Sequence, residues 1–225
     1  MRVAIVGHNK AQAKELVEKA GFTVAEDRLD FVISYGGDGT LMKSEFAYPG
    51  IPKIVLKDSA ICKVCSPFPN EVVLEKVKQG NYEIRSLIKL QASALGKTVT
   101  GMNDITVRNG DPRHGMRYKL WTNEKQIGDI IIGDGVVVAT PFGSTAYYRS
   151  ITDSFFETGI GLAFNNSTEQ VDHVVLDDQK AIKLQITRGP AVVYADNQKE
   201  ILQLKEGDEV TIKKSDSIAQ WVIVK

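Results

Sequence analysis

Long apolar runs are missing from this chain. Nothing in it approaches the ~18 consecutive apolar residues that a membrane-spanning helix needs, and the run Val3-Ala4-Ile5-Val6 is too short for a signal-peptide core. The expected compartment is therefore the cytoplasm, with no membrane partner. An excess of charge of either sign is also missing. Lys plus Arg and Asp plus Glu number 28 each, so no global field draws the chain to nucleic acid or to an anionic surface. Cysteine is scarce: Cys62 and Cys65 form a lone C-x-x-C, and the three histidines, His8, His114 and His173, are scattered. A structural zinc site needs a second ligand pair, so the expectation is two reduced thiols, with a redox dithiol as the other reading. Neither a Walker-A loop nor a complete G-x-G-x-x-G is present. Internal repeats and low-complexity segments are absent as well.

What remains is the composition of a globular protein. Of 225 residues, 43% are hydrophobic and 25% charged, enough for one large or two small domains with a sizeable core. Residues 1 to 80 alternate short apolar runs with helical spacing. Arg2 to Val6, Phe22 to Val24, Phe31 to Ser34 and Ile51 to Leu56 read as strands. Ala11 to Ala20, ended by Gly21, and Glu71 to Lys78, with Asn70 as N-cap, read as helices. That rhythm predicts an α/β domain with a doubly wound, mostly parallel sheet. Past Gly80 the apolar runs shorten and recur between turn residues, so residues 81 to 225 are expected to form a mostly β domain.

Three stretches stand out. Gly36-Gly37-Asp38-Gly39-Thr40 follows an apolar strand and opens a helix. Residues without a Cβ let backbone N–H groups approach an anion, and the helix N-terminus adds its positive dipole end. The same residues also suit a tight turn in which Asp38 caps the helix. Ligands bind such sheets outside the carboxyl ends of the strands, which is where this loop falls. Asn103-Asp104 places two polar side chains at the start of an apolar alternation. Both can reach a ligand only across a bend, because successive strand residues point to opposite faces. Asp134-Gly135 through Thr140-Pro141-Phe142-Gly143-Ser144-Thr145-Ala146-Tyr147 runs from a strand into a Pro-Gly turn. Ser144 and Thr145 there stand where helix N-caps stand.

In their order and spacing these stretches resemble the NAD kinases. The first looks like that family's Gly-Gly-Asp-Gly-Thr loop, the second like its Asn-Glu/Asp motif, and the third like its Thr-Pro-x-Gly-Ser-Thr-Ala-Tyr motif. Tyr194-Ala195-Asp196-Asn197 is similar to a further Asp-Gly segment, with Asn197 in place of glycine. The resemblance implies transfer of a phosphoryl group from ATP, or from polyphosphate, to the 2′-hydroxyl of the adenosine ribose of NAD. It implies Asp38 as the residue that orients that hydroxyl, and Gly36, Gly37, Gly39 and Thr40 as the phosphate-binding loop. Asn103, Asp104, Thr145, Ala146, Tyr147, Ser150 and Asp196 are implied as NAD-binding. Mg²⁺ or another divalent cation is implied by the nucleotide donor, with no metal-ligand set readable, and the implied assembly is a homodimer or homotetramer.

Several departures from the family pattern matter, Asn197 and the segment Asn165 to His173, which lacks a Pro- and Arg-containing pattern, among them. Where many members of that family carry a Gly-rich segment after the first motif, this chain has Val55 to Cys65 without a glycine. The Gly-Gly-Asp-Gly loop is also shared with lipid and other small-molecule kinases. A second enzyme reading is therefore a kinase of that kind, and a reading of another class is a non-catalytic dinucleotide-binding regulator.

Overall fold

A computed structural model of the chain describes residues 1 to 169 and 171 to 225. It resolves into two compact units, Met1–Leu87 with Ser217–Lys225, and Ile88–Asp216. The boundary expected after residue 80 thus lies later, and the last residues return to the first unit. Packing explains both. Tyr82 stacks edge-on against Phe31 with ring centroids 5.7 Å apart, and Trp221 pairs in parallel with Lys53.

The first unit follows the expected alternation. Strand β1 (Arg2–Gly7) leads to helix α1 (Lys10–Lys19), β2 (Thr23–Val24), β3 (Phe31–Gly36), α2 (Asp38–Ala47), β4 (Lys53–Lys57) and α3 (Asn70–Lys78). The strands pair in parallel, in the order β2-β1-β3-β4. Every residue of β3 is buried, as a strand covered on both faces requires. Ala13 and Val17 of α1 and Val73, Leu74 and Val77 of α3 close over it with Ile33, Ile54 and Leu56. Each fully buried Val, Leu or Ile contributes roughly 1.5–3 kcal/mol. Gly21 terminates α1 with φ +84°, the left-handed turn that glycine adopts without penalty. Asn70 is not the N-cap of α3, as expected from sequence; that position is Pro69. The Asn70 side chain instead accepts from Lys57 N at 2.8 Å and donates to Lys57 O at 2.9 Å, tying the helix to the end of β4.

The second unit is built of strands. They are most of β5 (Tyr82–Ala94), β6 (Lys97–Gly101), β7 (Asp104–Asn109), β8 (Met116–Thr122), β9 (Lys125–Gly133), β10 (Gly135–Ala139), β11 (Ile160–Asn165), β12 (His173–Leu176), β13 (Ile182–Arg188), β14 (Ala191–Ala195), β15 (Leu202–Leu204) and the first half of β16 (Glu209–Val224). One short helix, α4 (Tyr147–Thr152), interrupts them. An antiparallel sheet runs β12-β11-β10-β7-β14-β15. A second antiparallel set joins β13 to β16 and β8, and β8 to β9. Ile105, Val107, Val136 and Val138 from the first set share one core with Tyr118, Leu120, Ile182 and Leu184 from the second. The opposite face of β10 is covered too, because Val137 and Ala139 pack with Tyr148 of α4. That second contact fixes where α4 lies, and α4 carries the Tyr147 side chain. Among the described residues no helix is long and apolar enough to cross a membrane.

Candidate active site

In the second unit three stretches far apart in sequence meet at one turn. Met102-Asn103 interrupts the strands between β6 and β7. This break supplies the bend that Asn103 and Asp104 need. Asp196 holds it. Its Oδ2 accepts from Met102 N at 2.9 Å, and its Oδ1 accepts from Asn103 N at 2.8 Å and Asp104 N at 3.2 Å. Asp196 sits just past β14 with φ +49°, a left-handed conformation that Asp tolerates better than most residues. Thr140, just past β10, closes the other side. Its hydroxyl donates to Met102 O at 2.6 Å and accepts from Gly143 N at 3.1 Å, while its own N–H donates to Asn103 O at 2.9 Å. Gly143 must be glycine here, since a Cβ would overlap the Asn103 backbone.

The electrostatics of this turn are unusual. Asp104 is 6% exposed. Burial, and then the neighbouring Asp196 charge, push its carboxyl up to about 7, against a smaller lowering by the Thr106 hydroxyl. Burial also raises Asp196, although three backbone N–H groups and Lys89 pull it down. The side-chain oxygen of Asn103 is buried without a hydrogen-bond partner among the described residues. Buried acceptors are normally satisfied, so this open one calls for an explanation, and a donor arriving with a ligand would supply it. Tyr147 leads α4, and its Oη accepts from Asn165 Nδ2 at 3.1 Å. It lines a cleft of about 440 Å³ with Ser150, Ile151 and Asn165.

Other expected residues play narrower parts. Ser150 lines that cleft, but its hydroxyl donates to Tyr147 O at 2.7 Å. Thr145 is half-buried in the turn Gly143–Thr145, and Ala146 is exposed after it. Ser144 does not cap α4, contrary to expectation: the capping position is Ala146, and the Ser144 hydroxyl reaches the carbonyls of Pro141 and Phe156 instead.

In the first unit the Gly-rich loop borders a cleft of about 420 Å³ with His8, Lys43, Asp58 and Ser59. Gly36 and Gly37 make the loop compact. A Cβ on Gly36 would overlap the Thr40 side chain, and one on Gly37 would press on Ile61 O at 3.0 Å. Asp38 is the first residue of α2, with Gly37 as the N-cap, so it does not act as the cap. Its Oδ1 accepts instead from Lys63 N at 2.9 Å and Val64 N at 3.2 Å. Those donors lie between Cys62 and Cys65, which are joined in a disulfide, contrary to the expected pair of reduced thiols. Lys43, which the sequence reading passed over, stands one helical turn beyond Thr40 and reaches the same cleft. Its signal was the i, i+3 spacing from the loop. Among the described residues no group of three His, Cys, Asp or Glu is arranged to hold a metal ion.

A family model described as the ATP-NAD kinase C-terminal domain matches residues 102–224, more than half of the chain. The chain belongs to the NAD kinase family. The matched span begins at the turn that Asp196 holds and includes all of the second unit's candidate residues. Among NAD kinase relatives, a bifunctional NADP phosphatase/NAD kinase of Methanocaldococcus jannaschii is 26% identical over 211 residues. That alignment takes in 86% of this chain but 36% of the relative. An NAD kinase of Carboxydothermus hydrogenoformans is 27% identical over 225 residues, covering 93% of this chain and 80% of the relative. The fold agrees with a solved NAD kinase from Archaeoglobus fulgidus in complex with ATP, at a TM-score of 0.82 and 22% identity. It covers 100% of this chain and 94% of that one.

Proposed function

We propose that this protein is an NAD kinase that transfers the γ-phosphoryl group of ATP, or a terminal phosphoryl of polyphosphate, to the 2′-hydroxyl of the adenosine ribose of NAD. The observation that carries the reading is the turn at Met102 to Asp104, clamped by Asp196 and Thr140, with a buried and open acceptor on Asn103. An adenine amino group or a ribose hydroxyl supplies the missing donor. Asp104, when ionised, accepts a second such donor, and the Tyr147 ring offers an aromatic face to the ligand.

The Gly-rich loop of the first unit is proposed for the phosphates. Phosphoryl transfer asks for positioning and charge neutralisation more than for covalent work by the protein. Gly36, Gly37 and Gly39 bring backbone close to phosphate, Thr40 adds a hydroxyl, and Lys43 adds positive charge to the same cleft. Asp38 has Oδ1 anchored by two backbone N–H groups. Its Oδ2 orients the attacking hydroxyl and takes up its proton as the new bond to phosphorus forms and the donor's terminal P–O bond breaks, releasing ADP or a polyphosphate one unit shorter. Asp38 and Asp58 put carboxylates in the cleft, which fits Mg²⁺ arriving with the donor's phosphates, since that ion is commonly held by one or two carboxylates plus phosphate oxygens. When bound it neutralises phosphate charge. The protein works in the cytoplasm as a homodimer or homotetramer.

The test is to incubate the pure protein with NAD, Mg²⁺ and either ATP or polyphosphate, and to measure NADP. Turnover is expected, with a loss of about a hundredfold or more in kcat for Asp38→Asn and nearly unchanged NAD affinity. Tight NAD binding with no NADP from either donor points to a regulator and sinks the kinase reading. Phosphorylation of a lipid in place of NAD does so equally.

A further inference from the structure

We propose that Cys62 and Cys65 form a thiol–disulfide exchange site that holds Asp38 in place, with a dithiol reductant as its partner. The inference rests on the catalytic role given to Asp38 above.

The geometry is local and specific. Both N–H groups that bind Asp38 Oδ1 belong to Lys63 and Val64, the two residues enclosed by the Cys62–Cys65 disulfide. Consecutive N–H groups converging on one oxygen form a small anion-binding concavity, which the chain holds only in a narrow range of backbone angles. Val55 to Cys65 contains no glycine. Ser59 stabilises the approach to the ring through its hydroxyl, which donates to Ile61 O at 2.8 Å. The Cys65 sulfur lies 3.6 Å from Gly36 O, so the ring also rests on the end of β3 that launches the Gly-rich loop. The disulfide thus closes the smallest ring that contains both donors.

The site is reachable. Cys62 and Cys65 are each half-buried, while Lys63 between them is exposed. In an intracellular setting a disulfide is more often exchanged than permanent, and exchange requires a sulfur that a thiolate can approach in line. The reaction balances simply. The partner's first thiolate attacks one sulfur and breaks the Cys62–Cys65 bond, forming a mixed disulfide. Its second thiol then closes on the first, releasing the second cysteine. Two electrons and two protons pass from the partner dithiol to Cys62 and Cys65, and the partner leaves oxidised. The ring opens, Lys63 and Val64 gain backbone freedom, and Asp38 loses the anchor on Oδ1. Substrate binding by the second unit's residues does not pass through this ring. The open form therefore loses turnover and keeps NAD affinity.

The experiment compares the oxidised protein with the same protein reduced by dithiothreitol under anaerobic conditions, with two thiols confirmed by titration. The expected result is a fall in kcat of about tenfold, with KM for NAD changed less than about twofold. The Cys62→Ser/Cys65→Ser variant should match the reduced enzyme and ignore the reductant. Amide exchange at Lys63 and Val64, read by NMR, should be slow in the oxidised protein and fast in the reduced one. An unchanged kcat with both thiols free, or a disulfide that opens only after denaturation, overturns the proposal. So does a double-serine variant that still responds. If the oxidised protein makes no NADP, the kinase reading fails by itself. The amides then decide: equal protection in both redox states overturns the anchoring role.

Discussion

Asp196 and Asn103 are joined through the backbone: the Asp196 carboxylate accepts the Asn103 N–H at 2.8 Å, from 93 positions away in the chain. The same carboxylate takes the N–H groups on either side. Under the proposed function, Asp196 acts on NAD through the turn that presents Asn103 and Asp104. Asp196→Ala leaves three N–H groups without their acceptor, at about 1–3 kcal/mol for each one that water cannot reach. The expected outcome is a loss of several kcal/mol in urea unfolding together with a rise in KM for NAD. An unaltered unfolding midpoint would remove the clamp from the account.

Asp104 makes both stability and binding depend on pH. Its carboxyl lies at about 7 in the folded protein against 3.8 when unperturbed. The folded state therefore binds the proton more tightly than the unfolded one. The ionised carboxylate costs stability, a cost absent below pH 4, growing between 4 and 7, and complete above. Its limit is on the order of 4 kcal/mol, taking the rise from 3.8 to about 7 at 1.36 kcal/mol for each pH unit. Asp104→Asn should therefore unfold later than the native chain at pH 8 and at nearly the same point at pH 4. Binding runs the other way. In the proposed site the ionised group accepts from NAD, so NAD affinity should weaken as pH falls below about 7, and that slope should flatten in Asp104→Asn.

Lys43 lines the same cleft as Gly36 to Thr40. Its ammonium is the positive charge nearest in sequence to the loop. Removing it as Lys43→Ala should raise KM for ATP about tenfold, the scale of one charge-assisted phosphate contact. The calorimetric NAD affinity should stay as it was. Equal losses for both ligands would mean that the substitution disturbs α2 and not the phosphate contact.

The helix that starts at Asp38 is locked at its far end by a buried ion pair. Lys53 Nζ binds Glu45, with side-chain exposures of 1% and 4%. Lys53 also donates to Tyr48 O at 2.8 Å, and Gly50 N donates to Glu45 at 3.2 Å. Removing one partner strands the other charge inside, which costs about 3–5 kcal/mol. Glu45→Ala should show that loss in urea unfolding, and Glu45→Ala/Lys53→Met should recover much of it.

Much of this arrangement was legible in the sequence, because it is written in local patterns. The apolar runs Val3 to Val6 and Phe31 to Ser34, each followed by a glycine turn, predicted parallel strands, and β1 and β3 are those strands. Long-range pairings were not legible. Asn70 looked like a cap because its neighbours are helical, but Lys57 offered both a donor and an acceptor and drew its side chain away. β15 spans only Leu202–Leu204, too short for alternation to register. In β16 the polar residues Lys214 to Ser217 lie between two apolar runs and continue the same strand, which local apolar patterning does not show. The site divides in the same way. Its residue types stood in the motifs, whereas the clamp by Asp196 and the ring around Lys63 and Val64 depend on contacts between distant segments.

Gly143 is where that division is most exposed to experiment. Sequence alone treats it as a turn residue, for which alanine costs little. In the fold it packs directly on Asn103, and a Cβ there would meet the Asn103 carbonyl oxygen, carbonyl carbon and Cα together. All three are backbone atoms, so no rotamer change can relieve the overlap. Asn103 in turn is held by Asp196 from one side and by the Thr140 N–H from the other. Gly143→Ala must therefore push the 140–147 segment off the turn or break one of those bonds. The expected cost is about 1–3 kcal/mol in stability, as for other overpacked sites, with a much larger relative loss in NAD affinity, because Asn103 and Tyr147 are carried apart. Polyphosphate or ATP binding to the first unit should be untouched. A Gly143→Ala protein with native NAD affinity would show that the two motifs need not be in register to bind the dinucleotide.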